Sequence, residues 1–239
     1  MDCRHTQHMI IWKMLPLLIV VLSLSSCMSQ SDPVTVVEEK SEISLPAPHF
    51  KGDVSVEEAI KNRRSMRDFR DTSLSLEHVS QLLWAGQGIT EGFKRAAPSA
   101  GATYPLTLFV VVGGSGVEEL NAGIYQYIPE SHELLLVREG DYRERLAAAC
   151  LSQLFIREAP ISIVVVALYE KTTARYGERG IRYVHMEAGH AGENIYLQAE
   201  GLNLGTVVVG AFVDAEVQSV LGLPEELIPL YVMPVGFPR

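Results

Sequence analysis

The chain has 239 residues, 47% of them hydrophobic and 21% charged, with a net charge of −9. That length suffices for one domain with a substantial core and is short for two. The acidic balance excludes a general nucleic-acid surface, so a local cluster of arginines is more informative here than on a basic protein.

Arg4 and Lys13 precede a short apolar run over 14–24 that closes in Leu24-Ser25-Ser26-Cys27. Such a run is too short to cross a bilayer and fits a secretory signal. Leu-Ser-Ser-Cys resembles a bacterial lipobox, which makes 1–27 a lipoprotein signal with Cys27 as the lipidation site. An ordinary signal peptide with a chance cysteine is the alternative. The expectation is an exported protein, lipid-anchored to a bacterial membrane on its periplasmic or extracellular face. Residues 28–50 are rich in Ser, Pro and acidic side chains and read as an extended linker. Leu45-Pro46-Ala47-Pro48 forms its stiff end, leading into a domain over 51–239. With Cys27 lipidated, Cys150 has no disulfide partner and reads as a small buried apolar residue.

Ser55-Val56-Glu57-Glu58 is a capping-box pattern, and Val56, Ala59 and Ile60 recur at helical spacing. They predict a helix over 56–64 with one apolar face. Its end delivers Arg63-Arg64-Ser65-Met66-Arg67-Asp68-Phe69. One reading is a solvated set of cations favoured by the helix macrodipole. The other is an anion site, because guanidinium forks match phosphate oxygens and a serine hydroxyl can complete the cradle.

Ser75 caps a second helix whose buried stripe is Leu76, Val79, Leu82 and Leu83, ending at 86–88. The loop Pro98-Ser99-Ala100-Gly101-Ala102-Thr103-Tyr104-Pro105 is small and glycine-bearing, so a ligand can approach its backbone. A plain connection also fits. A strand over 106–112 meets a glycine cluster that lacks phosphate-loop spacing. Runs at 123–128 and 133–137 form a hairpin, and 141–152 is a helix. Residues 161–169 are apolar on both faces, as in a central strand. A polar connection over 175–180 leads to the longest helix, 181–200. Its small residues Ala188-Gly189-His190-Ala191-Gly192 imply close approach of another helix or a ligand. His185 and His190 do not share a helix face, and no zinc-type spacing occurs, so no metal is expected. A strand over 204–212 ends in a glycine bend, Asp214 caps a helix to 221, and 230–235 is the last strand. The irregular alternation and mid-chain hairpin predict an α+β fold, a mostly antiparallel sheet flanked by helices.

These motifs together resemble the nitroreductase family of flavin enzymes, and within it the azoline (thiazole/oxazole) dehydrogenase-like, or SagB-like, subgroup. The likeness rests on Leu45-Pro46-Ala47-Pro48, Arg63 to Phe69, Leu82-Leu83-Trp84-Ala85-Gly86-Gln87-Gly88 and Pro98 to Pro105. It continues in Glu187-Ala188-Gly189-His190, Glu193-Asn194, the Gly205 to Gly210 stretch and Pro234-Val235-Gly236-Phe237-Pro238. The resemblance implies a homodimer with one FMN at each end of the interface. It implies that Arg63, Ser65 and Arg67 hold the flavin phosphate and pyrimidine edge, with Arg64 a weaker candidate. Ser99 would reach the flavin from the partner subunit, Val209 and Gly210 would lie near its N5, and Arg239 would add a phosphate contact. Hydride would pass through N5 in ping-pong fashion, between NAD(P)H or another donor and a small-molecule substrate.

The subgroup's Lys-Tyr pair is matched here by Arg175-Tyr176. Arginine cannot act as a base, which leaves Tyr176 as the acid–base candidate, beside the plainer reading of a loop tyrosine. Azoline oxidation itself stays open. The competing functions are a lipoprotein that binds a flavin or small molecule without turnover, and a flavin-consuming member of the same fold. Serine hydrolysis is weaker, because Ala97-Pro98-Ser99-Ala100-Gly101 lacks the first glycine of G-x-S-x-G.

Overall fold

The structure, a computed structural model, describes residues 42–239. The predicted signal, Cys27 and most of the predicted linker lie outside the described residues. Strand β1 (Glu42–Ser44) comes first, then helices α1 (Val56–Asn62) and α2 (Leu76–Gln87). A small ribbon, β2 (Ile89–Glu91) and β3 (Lys94–Arg95), precedes a 3-10 turn at Ala100–Ala102. Strands β4 (Leu106–Val112), β5 (Gly123–Ile128) and β6 (Glu133–Glu139) follow, then helices α3 (Arg143–Ala149) and α4 (Leu154–Glu158). The chain continues through β7 (Ile161–Leu168), α5 (Glu170–Tyr176), α6 (Arg179–Gly201), β8 (Gly205–Thr206), α7 (Asp214–Leu221) and β9 (Leu227–Gly236).

Seven strands make one sheet in the order β1-β6-β5-β4-β7-β9-β8, and every neighbouring pair is antiparallel. This is the α+β architecture the sequence predicts. In β7, Ile161, Ile163, Val165 and Ala167 pack into the core under α2 and α6, while Val164 and Val166 pack with α3, α4 and α7. A strand buried on both faces needs cover on both sides, and β7 lies between β4 and β9 where it has it.

Several expectations are corrected. Residues 42–50 are part of the fold rather than the end of a linker. β1 pairs with β6, Leu45 is buried, and the Pro46 carbonyl accepts from Ser80 Oγ at 2.5 Å. His49 and Gln81 exchange two hydrogen bonds, of 2.8 and 2.9 Å, and Phe50 packs on Trp84. Only Ala59 of the expected apolar face of α1 is buried; Val56 and Ile60 are exposed. Its N-cap Ser55 accepts from Glu58 N, which satisfies one end of the capping box.

The helix expected over 141–152 splits into α3 and α4, with Leu151 and Ser152 at positive φ between them. The polar connection at 175–180 begins inside α5, which stops at Gly177, φ 56°. The strand over 204–212 reduces to β8 and one further bridge, Val209 to Val232. Val213, not Asp214, is the N-cap of α7, and it makes no side-chain cap. Cys150 is buried, and burial pushes its thiol up to about 12, so it is inert at neutral pH. No helix among the described residues is long and apolar enough to cross a membrane.

Candidate functional site

The arginine segment leaves α1 and runs along the outer end of the sheet. Ser65 forms a parallel bridge with Thr206 of β8, and Met66 N donates to the Thr206 carbonyl at 2.9 Å. Phe69 bridges Pro238, and Arg70 N donates to the Phe237 carbonyl at 2.8 Å. The closing Pro-x-Gly-Phe-Pro is therefore the rail on which the arginine segment lies.

Tyr196 of α6 ties this segment to the glycine bend. Its hydroxyl is hydrogen-bonded to Ser65 Oγ at 3.1 Å and accepts from Val208 N at 2.8 Å. The Arg63 guanidinium stands over the Tyr196 ring at 5.1 Å, with Glu193 Oε1 at 3.9 Å, a long and half-exposed ion pair of small energetic weight. Arg67 stands 5.9 Å over the Phe155 ring and makes no ion pair among the described residues. Val209 is pinned to Val232 by hydrogen bonds of 2.9 and 3.0 Å. Gly210 is exposed, and a Cβ there would meet no atom within 4 Å. Arg63, Ser65 and Val208 thus meet at one tyrosine, and Val209 and Gly210 follow directly in the chain. Arg239 joins at the edge, its N donating to the Asp68 carbonyl at 3.2 Å and its Nε lying 3.5 Å from Asp68 Oδ1.

Arg64 is not drawn into this group. Its Nη1 donates to the carbonyls of Lys61, Asn62 and Arg63 at 3.2, 2.6 and 3.3 Å, which caps the C-terminus of α1. The plain macrodipole reading describes Arg64, and its neighbours remain free for a ligand.

Ser99 and Tyr176 lie together in a second group. Ser99 Oγ accepts from Tyr104 N at 2.9 Å and shapes the loop, in which Gly101, Ala102 and Tyr104 take positive φ. Arg175 Nη1 donates to the Gly101 carbonyl at 3.0 Å, and the Tyr176 hydroxyl occupies the space a Cβ on Gly101 would need. Tyr176 also meets Tyr183 edge-to-face at 5.2 Å. Behind the loop, Arg95 holds Gln87 Oε1 at 3.1 Å and Glu130 at 2.8 Å, and lies over Tyr104. Glu187 of α6 faces Ser99 from the core side, 2% exposed, with Oε1 lacking any hydrogen-bond partner. Burial pushes its carboxyl up to about 7, against the Ser99 hydroxyl and the Arg95 and Lys171 charges that pull it down. The two groups share α6 at Glu187 and Tyr196, about 13 Å apart along the helix axis.

Sequence reasoning missed Tyr196 and left Glu187 without a role. Tyr196 has the spacing of a core residue on α6, and nothing local marks its hydroxyl as a junction. A cavity of about 690 Å³ lies away from both groups, between residues 49–56, α1, α2 and the C-terminal half of α6. None of its lining residues belongs to either group, so it is not taken as the site.

Comparison with known proteins agrees with this layout. A protein of Methanocaldococcus jannaschii, MJ1384, named as a nitroreductase, is 46% identical over 198 residues, spanning 82% of this chain and 96% of that one. The Escherichia coli microcin B17-processing protein McbC is 27% identical over 157 residues, 60% of this chain and 54% of its own. A crystal structure from Anabaena variabilis, again named as a nitroreductase, superposes with a TM-score of 0.73 at 31% identity, covering 84% of this chain and 42% of that one. The present chain thus spans about half of McbC and less than half of the Anabaena chain. The profile of the Nitroreductase family matches residues 60–237, from the arginine segment to the closing rail, and the chain belongs to that family.

Proposed function

We propose that this nitroreductase-family oxidoreductase uses FMN, and that two copies of the chain build each site. The observation that carries the reading is the Tyr196 junction, which holds Ser65 and the Val208 N–H, just before Val209 and Gly210, beside the Arg63 guanidinium. The residues present fit the cofactor. Among the described residues Arg67 has no carboxylate partner and Arg63 only a distant one, and Gly210 leaves its backbone open to a flat ring.

Arg63, Arg67 and Ser65 would hold the phosphate dianion through charge-assisted hydrogen bonds, with Arg239 a more exposed contributor. Val209 and Gly210 would present backbone to the isoalloxazine. When bound, FMN supplies the hydride chemistry, accepting from NAD(P)H or another donor and giving to a second small molecule in turn. Tyr176 would hold or release a proton at its hydroxyl, and the Ser99 loop would close the slot against water.

The separation of the two groups along α6 supports the dimer, in which Ser99 and Tyr176 would serve a neighbouring copy's flavin. Val56, Ile60 and Phe50, at 65, 59 and 78% exposure, are the apolar surface such a copy would bury. The N-terminal expectation stands as a further proposal: Cys27 anchors the enzyme to a membrane, and Cys27→Ser should release it to the soluble fraction.

Purification of the full chain tests the cofactor. The protein is expected to be yellow, to bleach with NAD(P)H or dithionite, and to recover in air. A colourless chain that takes up no added FMN overturns the reading. FMN bound without turnover on any nitroaromatic, quinone, enone or azoline would instead favour a binding lipoprotein.

A further inference from the structure

A second cavity, of about 160 Å³, is lined by Gln87 at the end of α2, Arg95 of β3, Glu130 of the turn after β5 and Lys171 of α5, with residues of β4 and β5 completing it. None of these side chains has a part in the proposed flavin chemistry. Gln87 is fully buried, and its Nε2 has no hydrogen-bond partner among the described residues. Turning the amide over does not help. Its Oε1 accepts from Arg95 Nη1 at 3.1 Å, and the flipped amide would set two donors against each other there. The orphan is therefore a donor, and a donor left unpaired in the interior is costly. The group that suits it is an acceptor.

Two cations line the same space. Lys171 is exposed, makes no ion pair among the described residues, and donates only to the Tyr104 carbonyl, at a long 3.4 Å. Arg95 is largely covered and reaches Glu130 with Nη2 at 2.8 Å. Two carboxylates act on these cations. The Glu130 side chain is 66% exposed, so its pair with Arg95 competes with water and is worth little. Glu187 acts from α6, but burial keeps its carboxyl protonated up to about 7. Below that pH the lining carries two positive charges and one negative. The ordinary explanation is a hydrated notch in which water accepts from Gln87. Water leaves the excess charge in place, whereas a small oxyanion accepts from Gln87 and neutralises it. The volume sets the size. At about 30 Å³ per water in the liquid it holds roughly five heavy atoms, which suits inorganic phosphate or a short carboxylate and excludes a nucleotide.

We propose that Gln87, Arg95 and Lys171 form a binding site for a small oxyanion, in which the Gln87 amide donates to one oxygen and the guanidinium and ammonium neutralise the charge. The site shares no residue with the arginine segment and does not depend on the flavin reading. Its position gives it a structural effect. Arg95 lies 4.9 Å over the Tyr104 ring and Lys171 donates to the Tyr104 carbonyl, while Tyr104 N donates to Ser99 Oγ. An occupant that grips both cations therefore also braces the end of the Ser99 loop.

The test uses the full chain, without added cofactor, at about pH 6, where Glu187 keeps its proton. Sodium phosphate and sodium acetate are titrated separately at constant ionic strength against a chloride reference. Calorimetry gives the affinities, and the side-chain amide NMR signal of Gln87 gives the place. That signal is assigned by its absence in Gln87→Glu, which keeps the shape but replaces the donor with an acceptor. A saturable shift of the Gln87 signal is expected, and the anion that binds more tightly names the class. Lys171→Gln, at an exposed position, is expected to weaken binding about tenfold or more, as for one lost charge-assisted contact. No saturable shift with either anion overturns the proposal, and so does equal affinity in Lys171→Gln and the parent. Phosphate binding that Arg67→Ala abolishes and Lys171→Gln spares belongs to the arginine segment, and it overturns this site while supporting the flavin reading.

Discussion

Arg64 and Arg67 are neighbours in sequence with different occupations, and that difference is measurable. Arg67 has an aromatic ring below it and no ion pair among the described residues, whereas Arg64 spends its Nη1 on three carbonyls of its own helix end. Arg67→Ala is expected to cost FMN affinity about tenfold or more, from one charge-assisted contact of about 1.5–3 kcal/mol. Arg64→Ala should leave FMN affinity within twofold and lower stability by about 0.5–1 kcal/mol through the lost helix-end interaction. Fluorescence titration with FMN and urea melts separate the two. Equal FMN affinity for Arg67→Ala and the parent would return the whole segment to the surface-cation reading.

Glu187 makes a second residue-scale prediction. The fold raises its carboxyl from 4.5 to about 7, so the native state keeps a proton that the unfolded chain has released. Stability therefore falls as pH rises through that window and levels off above it. Glu187→Gln removes the dependence, and its gain over the parent at pH 8 relative to pH 5 is at most about 3 kcal/mol. Parallel stability–pH curves for the two proteins would contradict this.

Among the elements, the lead-in strand is the clearest case of structure that hydropathy could not disclose. Leu45-Pro46-Ala47-Pro48 reads as a stiff tether, yet its carbonyls and the rings beyond it are bound by Ser80, Gln81 and Trp84, successive contacts along α2. His132 closes the arrangement, with Nε2 at 2.8 Å from Ser80 Oγ and 3.0 Å from the Pro46 carbonyl, and Nδ1 at 2.8 Å from the Tyr127 hydroxyl. Burial pulls the His132 pKa below 6.5, opposed by the Pro46 carbonyl. The unfolded chain thus takes up a proton first as pH falls, and the anchor weakens progressively below about 6.5. Trp84, packed at a tilt against Phe50 with ring centroids 5.4 Å apart, reports on it. Its emission is expected to red-shift between pH 7.5 and 5.5 before global unfolding, and constant emission would rule the release out.

The same scale shows what could be read in advance. Strands β4 and β7 were legible because unbroken apolar runs have few other uses, and α2 because Ser75 and Gly88 mark both ends. Helices α4 and α5 escaped because neither has a side-chain cap and both are too short to show a period. The stretch after Gly205 looked like one strand from its valines, but Tyr196 takes the Val208 N–H that a ladder would need. The arginines, Ser99 and Gly210 could be picked out by residue type. Tyr196, which decides their mutual placement, could not, because a hydroxyl buried on a helix leaves no sequence pattern.

For the whole molecule, the exposed Val56 and Ile60 are the test of assembly. Their burial in a dimer predicts that Val56→Asp with Ile60→Asp shifts the protein toward monomer in sedimentation analysis. FMN is expected to be lost with it, since Ser99 and Tyr176 lie on the second group of residues. A variant that stays dimeric and yellow would place the interface elsewhere on the surface.

The rail under the arginine segment has a consequence for the order in which the molecule is made. Ser65, Phe69 and Arg70 are held by Thr206, Pro238 and Phe237, so this segment waits for partners translated more than 130 residues later. Sheet pairings over such long chain separations form late. A nascent chain therefore has its helices and much of its sheet before the arginine segment, the proposed phosphate site, is in place. On the proposed reading, FMN loading would be a late event of biogenesis, and for a chain exported as proposed it would fall on the far side of the membrane.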